Sequence, residues 1–180
     1  MGRNIEKVIV SRDEIDKMTK RLGSQITRDF SGQKVLLVCV LKGAFMFLAD
    51  LVRQIDIPLE VDFMSVSSYG DNTDTSGVVR IIKDLDTDIT GRNVIIVEDI
   101  IDSGLTLNYL RDLLTTRNPA CIKICTAFDK PDRRKADVKV DYCGMVIPDG
   151  FVVGYGLDFA GDYRQLPDVC VLSDDGGEEE

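Results

Sequence analysis

Apolar residues recur along this chain in two rhythms, one helical and one strand-like. After Ser11-Arg12-Asp13-Glu14, which has capping-box form, Ile15, Met18, Leu22, Ile26 and Phe30 follow at intervals of three and four; this spacing predicts an amphipathic helix. The unbroken apolar run Val35 to Leu41 predicts a buried strand ending at Lys42-Gly43. Ala44, Phe47, Leu48, Leu51, Val52 and Ile55 mark the helix after it. A second strand is expected over Leu59 to Tyr69. The polar, turn-rich stretch Gly70 to Gly77 that follows has no apolar anchors and reads as a mobile loop. Val78 to Leu85 then returns antiparallel to the strand before it, so the loop and its two strands resemble a flap.

Beyond the turn at Thr90-Gly91, Asn93 to Asp99 reads as a strand with the apolar run Val94 to Val97 at its centre, and Leu107, Leu110, Leu113 and Leu114 predict a helix after it. Cys121 to Phe128 reads as another strand. Shorter strand-like pieces follow Pro131, at Val140 to Ile147, Phe151 to Gly156 and Val169 to Leu172. Buried apolar strands separated by helices point to an α/β fold, with a mainly parallel central sheet flanked by helices and ligands at the carboxyl ends of its strands. The 180 residues suit one domain, and neither an internal repeat nor a linker interrupts them.

Composition narrows the chemistry. Apolar runs reach about seven residues, far short of the roughly 20 that cross a bilayer, and the N-terminus lacks the pattern of a secretory signal. A cytoplasmic location and no membrane partner are therefore expected. The five cysteines are odd in number and sit mostly in apolar runs, which suits reduced, buried thiols better than a disulfide framework. Zinc is a weaker reading of Cys121 and Cys125, four residues apart, because the chain has no CxxC and no histidine. The lack of histidine also removes the commonest general base and every Ser-His or Cys-His dyad, leaving carboxylates, lysine or a metal. The net charge is −9, and the tail Ser173 to Glu180 contributes five acids and no base; a solvated, disordered segment is expected there.

The stretch Val94 to Leu107, VIIVEDIIDSGLTL, concentrates the candidate chemistry. If Val94 to Val97 is a central strand, Glu98 and Asp99 fall at its carboxyl end, where they meet water and ligand rather than a core. Asp102-Ser103-Gly104-Leu105-Thr106 then opens a helix, with hydroxyls, a permissive glycine and exposed amides that form an anion nest. The two neighbouring acids suit another part of the same ligand, either accepting hydrogen bonds from sugar hydroxyls or holding Mg²⁺ directly or through water. Together these features describe a ribose phosphate site. Asp102 or Ser103 alone would be an ordinary helix cap, but the whole pattern is far more specific than a lone glycine motif.

This pattern resembles the 5-phosphoribosyl-1-diphosphate (PRPP) signature of the type I phosphoribosyltransferases. Over roughly Val8 to Leu172 the resemblance narrows to the hypoxanthine-guanine phosphoribosyltransferases, a purine-salvage family. Besides Glu98 to Thr106, it is carried by Leu41-Lys42-Gly43, Ser67 to Gly70, Phe128 to Lys135 and Pro148 to Pro167. The resemblance implies that Leu41, Lys42 and Gly43 form a pyrophosphate loop with a cis bond before the lysine, and that Arg164 also binds pyrophosphate. It places Ser68 and Tyr69 on a lid at about 66–79, which excludes water when it closes. A hood would be formed by the N-terminal segment and about 130–172, the domain being 1–172 and the acidic tail 173–180. Lys130 would hydrogen-bond the purine 6-oxo group, Phe151 would stack on the base and Val152 would pair with its edge through the backbone. Asp158 would line the purine site and hold Mg²⁺ through water, with Glu98 and Asp99 as the other metal-site acids. Asp102 would accept the proton from purine N7. Taken alone, Tyr69 reads as a β-edge aromatic, Phe151 and Val152 as core strand residues, and Arg133, Arg134 and Lys135 as a solvated turn or a subunit contact.

The activity implied is Mg²⁺-dependent transfer of phosphoribosyl from PRPP to hypoxanthine, and to guanine, giving IMP or GMP and pyrophosphate; preference for xanthine stays open. Homodimers or homotetramers are usual in the family. Two departures stand out: Leu105 replaces a basic residue of some relatives, and Ala44 replaces a second glycine. An RNA-binding regulator of pyrimidine genes on the same fold is the leading rival. It would need a basic face, which the acidic balance opposes, so no nucleic-acid partner is expected. An inactive interaction domain is a third reading.

Overall fold

The computed structural model describes residues 4–68 and 79–173. In chain order its elements are β1 (Ile5–Val10), α1 (Arg12–Asp29), β2 (Val35–Leu41), α2 (Phe45–Val52), β3 (Leu59–Ser68), β4 (Val79–Lys83), β5 (Asn93–Ile101), α3 (Leu105–Thr115), β6 (Cys121–Asp129), a 3-10 turn (Pro131–Arg133), β7 (Tyr142–Val146), β8 (Val152–Val153) and β9 (Val169–Leu172). The mobile-loop expectation for Gly70 to Gly77, and the acidic tail beyond Ser173, lie outside the described residues.

The first helix begins where the capping box places it. Ser11 N donates to Glu14 Oε2 at 2.8 Å, and the Ser11 hydroxyl accepts from Glu14 N at 3.4 Å, so two end groups satisfy each other. Ile15, Met18, Leu22 and Ile26 are buried on one face, while Asp13 and Glu14 in the first turn and Arg28 in the last complement the helix dipole. The second helix is shorter than its apolar spacing suggested: Ala44 is its N-cap and Ile55 lies beyond its end.

Six strands form the main sheet in the order β4-β3-β2-β5-β6-β7. Every neighbouring pair is parallel except β3 with β4. The centre of this sheet explains the unbroken apolar runs, because β2 and β5 are covered on both faces. Val35, Leu37, Cys39, Ile95 and Val97 pack towards α1 and α2. Leu36, Val38, Val40, Val94 and Ile96 pack towards α3. Burial holds the Cys39 thiol up at about 12, and all five cysteines are free, in line with the reduced thiols expected.

A second, three-stranded sheet was not legible in the sequence as a sheet. Its order is β1-β9-β8, with Val8 opposite Cys170 and Val152 opposite Val171. Strands of two to six residues give too few alternations to announce their partners. No helix among the described residues is long and apolar enough to cross a membrane.

Asp62 fixes the return from β4 to β5. Only 4% exposed, it accepts from the amides of Phe63, Asp86 and Thr87 at 2.7, 3.0 and 2.8 Å. Burial opposes its charge, but these bonds outweigh burial and hold its carboxyl below the ordinary value. A carboxyl lowered by folding contributes stability above its unfolded value, near 3.9, and loses it as pH falls through the folded value. Asp62→Ala should therefore cost roughly 2 kcal/mol in urea unfolding at pH 7, with the deficit against the parent shrinking as pH falls below about 4. A deficit independent of pH would exclude the charge as its source.

Candidate active site

Two cavities, of about 290 and 410 Å³, open at the carboxyl ends of the central strands and share Asp99, Ile100 and Asp102 in their walls. The smaller is bounded by Glu98, Ser103, Gly104 and Thr106. The larger is bounded by Lys130, Arg133, Phe151, Val152 and Asp158. Asp102 thus stands at the junction, with its side chain 46% exposed.

The acids are more enclosed than a strand end would make them. The sequence reading ends the strand at Asp99, but β5 runs to Ile101, with Glu98 opposite Thr126 and Ile101 opposite Asp129 on β6. The Lys130 amide donates to Ile101 O at 2.9 Å and fastens the extension. Both acids are half-buried. Burial raises the Glu98 carboxyl well above its usual range, helped by the charge of Asp99 beside it. Burial also raises Asp99, against the pull of its own hydrogen bond from Ile100 N at 2.7 Å and of Arg164. Position at the strand end therefore spares these acids only part of the cost of leaving water.

Beyond Ile101 the chain turns into α3. Gly104 is the N-cap in the left-handed region, φ 76°, where a side chain would be strained. Among the described residues no side chain caps α3 and no acid sits in its first turn, so its amide end is open to an anion. The Leu105 amide makes a long 3.4 Å contact with the Ser103 hydroxyl.

On the neighbouring strand, the Leu41-Lys42 peptide is cis, as the resemblance implied, and Lys42 is exposed. Gly43 is wedged tightly: a methyl group there would overlap the Asp99 carboxylate, and one on Gly156 would overlap Gly43 O. The two loops and the acid can stack only because both positions are glycine. Arg164 donates from Nη1 to Gly156 O at 2.6 Å and pairs through Nη2 with Asp158 Oδ1, also at 2.6 Å. The other Asp158 oxygen accepts from Gly161 N at 2.8 Å.

At the larger cavity, Lys130 is 5% exposed and its Nζ donates to Gly150 O at 2.5 Å. Burial lowers its ammonium pKa, and the charges of Asp102 and Asp149 oppose the shift. Phe151 is not the core residue that its run suggests in isolation; it is 54% exposed and meets Phe159 edge-on at 5.4 Å. Val152 is buried in β8. Ser68 is the last residue of β3, and Tyr69 lies outside the described residues.

Arg134 corrects the reading of a solvated turn, whereas Arg133 is exposed as that reading has it but folds back onto the site. Arg133 Nε lies 3.1 Å from Asp102 Oδ1, and its Nη1 reaches Asp149 Oδ1 at 3.3 Å. Arg134 pairs with Asp129 and is mostly buried. Their place right after Lys130 was the one linear signal, but a run of charges looks the same whether it faces water or folds back across a site.

An acidic strand end, an amide-lined turn and a basic loop on the adjacent strand, around paired cavities, define a site for a phosphorylated sugar and a second reactant. Residues 11–160 match the family model described as the phosphoribosyl transferase domain. The chain is 55% identical over 172 residues to a hypoxanthine-guanine phosphoribosyltransferase of Bacillus subtilis (strain 168), covering 96% of each. It is 50% identical over 175 residues to that of Streptococcus thermophilus (strain CNRZ 1066), covering 97% of each. A crystal structure of a Bacillus anthracis hypoxanthine-guanine phosphoribosyltransferase superposes with TM-score 0.91 at 48% identity, over 94% of this chain and 100% of that one. The chain belongs to the phosphoribosyltransferase family, in its hypoxanthine-guanine branch.

The raised Glu98 carboxyl has a measurable consequence. A carboxyl raised by folding contributes its full stability below the unfolded value, about 4.3, and loses it as pH rises through the folded value. Glu98→Gln removes that loss and should stabilise the ligand-free protein at pH 8 by roughly 1 kcal/mol. Melting curves at pH 5 and pH 8 should show the variant's advantage growing with pH; an equal advantage at both would rule out the carboxyl's charge as the cause.

Proposed function

We propose that this protein transfers the phosphoribosyl group of PRPP to hypoxanthine and guanine, giving IMP or GMP and pyrophosphate, and that it acts in the cytoplasm. The observation that carries this reading is that the two cavities share Asp99, Ile100 and Asp102, so that a ribose phosphate in one would present its C1 to a base in the other. The relatives' names supply the substrates.

In this reading the amides of Ser103 to Thr106 hold the 5′-phosphate, and Glu98 and Asp99 take the ribose hydroxyls. Lys42, with the flanking Leu41 and Gly43, and Arg164 take the charge of the departing diphosphate. Phe151 stacks on the purine, the Val152 backbone pairs with its edge, and Lys130 donates to its 6-oxo group. Asp102 receives the proton from N7. Most of the acceleration comes from alignment and charge stabilisation, with Asp102 handling the proton as it is released. Ser68 and Tyr69 belong to the lid that keeps water from the activated sugar. The β1-β9-β8 sheet is the hood that brings Phe151 and Val152 over the base.

Mg²⁺ is the cofactor of this reading. Glu98, Asp99 and Asp158 offer hard carboxylate oxygens, and Asp99 and Asp158 line the same cavity. Among the described residues no three ligating side chains converge, and a site completed by water and substrate oxygens is the kind Mg²⁺ prefers. When bound, the ion neutralises diphosphate charge. The assembly we expect is a homodimer or homotetramer, with Val61 and Phe63, exposed on one face of β3, among the apolar surface to be covered.

Initial rates with PRPP and Mg²⁺ on hypoxanthine, guanine, xanthine, adenine and uracil test the assignment. Turnover of the first two is expected; turnover confined to uracil, or none, would refute it. Xanthine preferred over hypoxanthine would instead redirect it within the family. Asp102→Asn should lower kcat by roughly 10²-fold or more, with PRPP affinity nearly kept. Lost affinity with kcat retained would remove Asp102 from the proton's path.

A further inference from the structure

Leu105 leaves the phosphate loop without a basic side chain of its own, and the structure sets a cation behind it. After the 3-10 turn the chain runs back along the loop, where the amides of Lys135 and Ala136 both donate to Ser103 O, at 2.9 and 3.1 Å. Between these contacts and the turn sits Arg134, its side chain 18% exposed and paired through Nη2 with Asp129 at the end of β6. A methyl group on Gly104 would lie 3.0 Å from Arg134 Cδ and 3.3 Å from its Nη1. The guanidinium is therefore laid against the residue whose left-handed conformation makes the turn.

Its Nη1 is buried and finds no hydrogen-bond partner among the described residues. A buried donor left unpaired is costly, and a native fold that keeps one needs a reason. Here the reason is directional. Asp129 neutralises the guanidinium at Nη2, so the pair is a dipole whose positive end, Nη1, faces Gly104 and the loop. Arg134 does not line the cavity where the anion would sit; it acts through the loop.

We propose that Arg134 is a positioning residue for the 5′-phosphate. It braces Gly104 in its turn and places positive charge behind the amide nest, supplying from beneath what Leu105 does not supply within the loop. This rests on the assignment of Ser103 to Thr106 as the phosphate loop.

The test is calorimetric titration of the full chain with ribose 5-phosphate and, separately, with pyrophosphate and Mg²⁺, together with PRPP kinetics and melting curves. Arg134→Gln should weaken ribose 5-phosphate binding and raise the KM for PRPP by roughly tenfold. Pyrophosphate affinity, the KM for hypoxanthine and most of kcat should be kept. Arg134→Lys keeps the charge but loses the planar fork, so its ribose 5-phosphate affinity should lie between those of the parent and the glutamine variant. Unchanged ribose 5-phosphate affinity in Arg134→Gln, equal weakening for pyrophosphate, or loss of the fold in both variants would overturn the proposal. A parent chain that turns over PRPP without binding ribose 5-phosphate would instead overturn the loop assignment on which it rests.

Discussion

Glu98 and Asp99 lie where β5 is still paired with β6, and burial there raises both carboxyls above their ordinary range. Two neighbouring acids in such a place resist carrying two charges unless cations or hydrogen-bond donors reach them. The surroundings answer that constraint. Arg164 pulls the Asp99 carboxyl down, and the Ile100 amide donates to it. What the protein does not neutralise is left for a ligand rich in hydroxyls or for a cation. The energetic cost of placing acids at the end of the central strand and the proposed hold on a ribose ring are thus two sides of one arrangement.

Around the acids, small residues decide what can come close. β2 lies parallel to β5 in a register that sets Cys39 beside Val97, and this carries the loop after Leu41 onto Asp99. With a side chain at position 43 the loop would be pushed off the carboxylate, and with one at position 156 the next layer would be pushed off Gly43. Arg164 holds Gly156 from the other side through its carbonyl. A chain of contacts therefore links the diphosphate end of the proposed site to Asp158 at the base end.

Much of this was legible because local physics announces it. The capping box at Ser11, the apolar runs of β2 and β5, and the Asp-Ser-Gly-Leu-Thr turn each carry their structure in adjacent residues. Arg133 and Arg134 show where that stops. Their partners Asp102 and Asp129 are reached only once the 3-10 turn folds back, and no periodicity encodes a turn's direction. The second sheet was hidden for the same reason, since β1 and β9 meet across more than 150 residues of chain. The extent of β5 was misjudged by two residues because a pair of acids after an apolar run reads as the strand's end; pairing of Ile100 and Ile101 with β6 carries the strand on.

The absence of histidine shapes how the proton can be handled. Asp102 faces Lys130 and Arg133, both cationic and both lining the larger cavity. Lys130 is nearly enclosed and held by Gly150 O, so it is set in place before any base arrives. Arg133 is different. Its side chain is 51% exposed and bridges Asp102 and Asp149, both also exposed, and exposed pairs of this kind contribute only about 0–1 kcal/mol. In the proposed reading, a purine entering between Phe151 and Asp102 takes Arg133's place on the carboxylate at small cost, while the buried Lys130 stays in place beside it. Rigidity thus falls on Lys130, the residue proposed to recognise the base, and freedom on Arg133, which covers the proposed proton acceptor.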